Sequence, residues 1–205
     1  TLWTNTSTST EGWAARGFAH YARDPVVYLS DDGTTNRVLG DVLQLDAIGS
    51  WSRGPVRLGL DVPVYLRSSG ETVGGETGLG DLVVDGRGTL LQRDDNAVGL
   101  AVAMRFGLPT TTVQAPLGSR GLSYELEGII DKMVGRTLLA ANTGLRVVPT
   151  DTLENVVLND QLVFRLGAGH EIGQRSGVSL DLATHLNLAQ ITSDATPLEA
   201  LLGGW

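Results

Sequence analysis

The chain has 205 residues, of which 41% are hydrophobic and 5% aromatic, with a formal net charge of −8. No run of 18 apolar residues exists, which excludes a transmembrane helix, and no basic stripe exists for nucleic acid. The absence of cysteine excludes disulfides and thiolate metal sites, and no cofactor is expected.

In chain order, residues 1–12 are rich in Thr, Ser and Asn and carry no periodicity. They read as a leader, tethered or mobile, ahead of one domain over residues 13–205. No signal peptide is visible at Thr1, as expected of a mature chain or of a sequence that begins late. A first strand is predicted over Trp13–Leu29, broken or bulged near Asp24-Pro25. A second spans Val38–Trp51. The third, Val56–Arg67, is the clearest. Every even position is aliphatic, and every odd one is polar, small, proline or tyrosine, the period of a strand with one apolar face. Pro63 lacks a ladder donor, so a bulge or a break in pairing is expected there. The fourth strand is expected at Leu79–Gln92, the fifth at Val98–Leu108, the sixth at Leu122–Met133 and the seventh at Thr137–Val148. The eighth is expected at Val156–His170, the ninth at Val178–Ala189 and a tenth from Thr196 to Trp205.

These segments approach the span of about 9–11 residues that crosses a bilayer as a tilted strand. Globular strands are nearer 5–6 residues. Their connections alternate between short turns (Arg53–Pro55, Arg93–Ala97, Val134–Arg136, Gly173–Gly177) and longer loops. The fold class expected is all-β, an antiparallel up-and-down transmembrane β-barrel with about 10 strands. Short turns are periplasmic in bacterial barrels, which would put the N-terminus in the periplasm. The predicted lipid-facing residues are Leu58, Leu60, Val62, Val64, Leu100, Val102, Met104, Phe106, Leu162, Phe164, Leu180 and Leu182. Trp51 and Trp205 would sit in an aromatic girdle. The predicted lumen-facing charges are Arg57, Asp61, Asp81, Asp85, Arg87, Arg105, Glu125, Glu127, Asp131, Arg146, Arg165 and Asp181, joined by His185 and Glu199. They either form compensating ion pairs that fill the interior or set the ion preference of a pore, which their acidic excess would make cation-preferring.

Other chemistry reads weakly. Ser179, Asp181 and His185 share a face, but positions four apart on a strand are separated by about 13 Å, too far for a catalytic base and its orienting group. No catalytic residue is therefore expected. His20 and His170 have no carboxylate at useful spacing. Residues 30–36 look faintly like a calcium loop but lack the alternate ligands, so no metal is expected. The glycine-rich stretch 74–80 has no following helix or lysine to cradle phosphate.

Several runs together resemble a known family: Tyr21–Val27, Gly78–Leu82, Leu100–Thr110, Asn159–Gly169 and Thr196–Gly203. They are similar to the N-terminal barrel of large outer-membrane proteins of myxobacteria and their relatives, of the OmpA family. That resemblance implies a Gram-negative outer membrane as location and its lipid as partner. It also implies a peptidoglycan-binding domain outside this range, and contact with other envelope proteins. It further implies about one more hairpin after Pro-Leu-Glu-Ala, for about 12 strands in the complete barrel, although an aromatic residue at Trp205 suits a true C-terminus. Three functions are thus open: an envelope anchor, a passive diffusion channel, and a soluble lipocalin-like binding barrel whose apolar stripes would face inward.

Overall fold

A computed structural model describes residues 6–7, 11–29, 35–69, 77–113, 121–153, 156–173, 176–188 and 198–204. Side chains of 24–39, 151–158, 198–199 and 201–204 lie outside that description. The strands are β1 (Gly12–Leu29), β2 (Thr35–Arg53), β3 (Val56–Ser68), β4 (Gly78–Leu79), β5 (Leu82–Leu91), β6 (Gly99–Leu108) and β7 (Ser123–Val134). They continue as β8 (Thr137–Val147), β9 (Asp151–Leu153), β10 (Val156–Leu158), β11 (Gln161–Gly173), β12 (Ser176–Asn187) and β13 (Leu198–Gly204). Ten of them form one curled antiparallel sheet in the order β1-β2-β3-β5-β6-β7-β8-β11-β12-β13, the up-and-down wall of a barrel. β1 and β13 are the two ends of this path, and β4 pairs with β3.

The short connections are set by local chemistry. Arg53 pairs with Val56 and Val134 with Thr137, leaving two-residue turns. Gly54 (φ +54°) and Gly135 (φ +61°) occupy their first central position. A type II′ hairpin needs φ > 0 there, and Pro55 supplies the negative φ that follows. Leu91–Gly99 and Gly173–Ser176 close at the same end of the sheet, while the long connections close at the other.

Most expected strands are present within a residue or three of their bounds, including the irregularity of β1, whose register shifts on either side of Val26. Two differ. The fourth breaks into β4 and β5 at Gly80-Asp81, because Asp81 Oδ1 accepts the amide of Thr111 (3.0 Å) and clasps the β6–β7 loop. The eighth starts at Gln161, since Val156–Leu158 folds back on Asp151–Leu153 as a separate hairpin. Pro63 keeps its register with Asp46 on β2. On its other side the ladder stops at Asp61↔Val83 and resumes one residue out of step at Val64↔Leu79. The missing donor therefore costs pairing on one edge only.

Alternation decides which face looks where. On β7, Glu125, Glu127, Ile129 and Asp131 are buried, and Tyr124, Leu126, Gly128 and Ile130 between them are exposed. On β6 the buried set is Gly99, Ala101 and Ala103, against exposed Val102, Met104 and Phe106. The concave face is thus polar and small, and the convex face is aliphatic, the reverse of a water-soluble barrel. The stripes do not point inward as the lipocalin-like alternative requires. Inward positions are occupied by charges that need partners, and these partners lie on the concave side.

A β-branched residue cannot adopt the backbone of Gly135 without strain. Gly135→Val should lower stability by about 1–2 kcal/mol, read as a reduced midpoint in urea with an unchanged slope.

Candidate functional site: the polar concave wall

The concave face carries its charges in clusters. At mid-wall, Arg165 on β11 is 3% exposed and donates from Nη1 to Glu125 Oε1 (2.7 Å) and to Glu127 Oε1. Glu125 also accepts from Arg105 Nη1 on β6 at 3.1 Å. Arg165 lies opposite Asn142 of β8, and Glu127 lies opposite Gly144. The guanidinium must therefore reach over β8 to meet the glutamates. Gly144 leaves the floor open: a Cβ there would stand 3.0 Å from Glu127 Cγ and 2.3 Å from the Leu126 carbonyl. The same device recurs on β3, where a Cβ at Gly59 would fall 2.0 Å from Asp85 Oδ2. That carboxylate lies over the glycine and pairs with Arg57.

Near the β1–β2 edge, Asp46 is 2% exposed and meets His20 Nε2 at 2.6 Å and Gln44 Nε2 at 2.6 Å. The expectation that His20 lacks a carboxylate is corrected: its partner stands on the neighbouring strand, invisible to spacing along one strand. His170 hydrogen-bonds Thr137 Oγ1 through Nδ1 (2.9 Å) on the outer face.

At the short-turn end, Asp131 is 1% exposed and lies 3.4 Å from Arg93 Nη1. Its main partners come from the leader. Ser7 donates to it from both its amide (2.5 Å to Oδ2) and its hydroxyl (2.9 Å to Oδ1). Arg87 Nη1 donates to the Thr6 carbonyl, and Thr89 Oγ1 donates to the Ser7 carbonyl.

Of the other predicted lumen charges, Arg146 stands opposite Glu125 in the ladder, Asp181 is buried opposite Gly167, and Asp61 is half-buried on β3. Asp81 serves the loop clasp rather than the mid-wall cluster. His185 shares the concave face with Asp181 and Ser179 and is half-buried. Glu199 lies outside the described side chains. Among the described residues no group of His, Cys, Asp or Glu is arranged to hold a metal.

The predicted lipid-facing residues stand on the convex face. Leu58, Leu60, Val102, Met104, Phe106, Phe164 and Leu180 are exposed, and Val62, Val64, Leu100, Leu162 and Leu182 are half-exposed. Trp13 (86% exposed) joins Trp51 across the β1–β2 ladder, ring centroids 6.5 Å apart. Trp13 is a girdle candidate that strand periodicity alone does not single out, because its pairing with Trp51 depends on the β1–β2 register across the connection after Leu29. Trp205 lies outside the described residues. On the same face Tyr21 donates to Asp41 (2.7 Å) near the loop end. Among the described side chains, outward charges stand at the ends: Arg53 and Lys132 by the short turns, Arg23, Asp41 and Arg67 by the loops. Between them no Asp, Glu, Lys or Arg stands on the convex face of β1–β3, β5–β8, β11 or β12. An apolar hollow of about 480 Å³ opens over Ala141 and Ala168, walled by Ile130, Leu139, Leu166 and Leu180.

No protein-family model matches the chain, and no curated protein sequence does.

Removing one partner from a buried cluster leaves the other charge uncompensated. Arg165→Met should cost about 3–5 kcal/mol, and the triple variant Arg165→Met, Glu125→Gln, Glu127→Gln should recover most of it. Equilibrium unfolding of both variants checks the pair.

Proposed function

We propose that the chain is a membrane-spanning β-barrel of a Gram-negative outer membrane with a structural, anchoring role in the envelope. One observation carries the reading: large aliphatic side chains cover the convex face while carboxylates and guanidinia are buried on the concave one. Water penalises that arrangement, whereas lipid favours the apolar face and a polar interior. The dimensions agree. Trp13 and Tyr21 are eight residues apart on β1, about 27 Å along a strand. At a tilt of about 40° that is roughly 20 Å in height, close to the apolar band of such barrels. Trp13 and Trp51 would lie in one interface, Tyr21 and Tyr124 in the other. Acyl chains would fill the hollow over Ala141 and Ala168.

The resemblance to the barrels of myxobacterial OmpA-family proteins supports the anchoring role and a periplasmic short-turn end. Peptidoglycan contact would belong to a further domain outside this range. A second reading, a diffusion channel, is favoured by the acidic excess on the concave wall, which would select cations.

Leu126, exposed on the convex face of β7, separates lipid from water. In a bilayer Leu126→Arg should destabilise by about 2–4 kcal/mol. On a water-exposed surface the same change should stay within about 0.5 kcal/mol. Unfolding titrations in lipid vesicles read the difference, and a neutral result would count against the membrane assignment.

A further inference from the structure

Thr6 and Ser7 do not lie outside the wall like a free leader. Ser7 is 0% exposed, and every group it offers is engaged on the concave side. Its amide and hydroxyl go to Asp131 on β7, and its carbonyl accepts from Thr89 on β5. The Thr6 carbonyl accepts from Arg87, also on β5. The seat between those strands is built for it. Gly99 on β6 is the floor, and a Cβ there would stand 2.0 Å from Ser7 Oγ and 2.3 Å from Asp131 Oδ1. A side chain at this position would crowd Ser7 and Asp131, and one of them would have to shift. A residue adjoining a barrel mouth ordinarily satisfies its backbone with water. Here Asp131, nearly inaccessible, takes two hydrogen bonds from a residue 124 positions away in sequence, beside one from Arg93.

We infer that the Thr6–Ser7 segment is a stopper, seated in the short-turn mouth of the lumen by Asp131, and that the barrel is shut while the seat is occupied. The inference rests on the membrane-barrel reading and concerns what the lumen passes. The clusters at mid-wall run sideways across the strands, from Arg105 on β6 through Glu125 on β7 and over β8 to Arg165 on β11. They line the wall at mid-height, whereas Thr6 and Ser7 bridge β5 and β7 on the concave side near the short-turn end. The solutes admitted on release would be small cations, drawn by the acidic excess.

Two variants of the full chain test this. Ser7→Pro deletes both donors to Asp131, amide and hydroxyl, and leaves every wall residue unchanged. In planar bilayers with potassium chloride it should raise the unit conductance severalfold over the parent protein. The second is the pair Ser7→Cys and Asp131→Cys, in a chain that has no other cysteine. The two side chains face each other at hydrogen-bond distance, near enough for a disulfide after a small adjustment. Oxidised, the pair should resist alkylation and stay shut; reduced, having lost both hydrogen bonds, it should conduct. Failure of the pair to cross-link in the folded protein would overturn the seat. Cross-linking with no rise in conductance for Ser7→Pro or on reduction would overturn the stopper. A protein that fractionates away from membranes yet still cross-links would refute the membrane reading, and with it any gating role.

Discussion

Charge on the inside of a curled sheet is the condition on which the rest of the molecule depends. A carboxylate or guanidinium withdrawn from water is tolerated only when paired and hydrogen-bonded. The concave wall pairs its charges by reaching across strands: Arg165 over β8 to Glu125 and Glu127, Asp85 over Gly59 to Arg57, and His20 into close contact with Asp46 across the ladder. Each reach fixes the register of the strands it joins. A one-residue slip would throw the charged set outward and the aliphatic set inward. The clusters therefore help determine which face is which as well as filling space.

Glycine has a specific place in this scheme. A glycine inside a strand ordinarily weakens it. Here Gly59, Gly99 and Gly144 lie on the charged face, each against an acidic residue of the neighbouring strand. Their missing side chains give room for Asp85, Asp131 and Glu127 to lie flat along the wall and find partners. Part of the high glycine count of the chain follows from the density of interior charge, while among the described residues Gly54 and Gly135 serve the tight turns through positive φ.

Much of this was legible in the sequence. Strict alternation at Val56–Arg67 and Val98–Leu108 fixes strand and face together, because a period of two has no other regular reading. Alternating connection lengths gave the up-and-down order. The strand ends that were misplaced depend on contacts between loops. Asp81 leaves the fourth strand for the Thr111 amide, and the β9–β10 hairpin pairs only with itself. The interior partners were equally out of reach. Glu125, Glu127 and Arg165 could each be assigned inward, but which carboxylate meets which guanidinium depends on the register of β7, β8 and β11. The seat of Ser7 had no local signal at all, since a polar leader without periodicity has the same composition whether it is loose or clasped.

In the proposed reading the convex face of this inside-out sheet meets hydrocarbon. The most direct test is the electrophoretic mobility of the protein extracted from outer membranes in detergent, compared unheated and boiled. A closed membrane barrel resists the detergent until heated, so the account predicts a mobility shift on boiling together with recovery in the outer-membrane fraction. An unshifted band from protein recovered in the soluble fraction would contradict it.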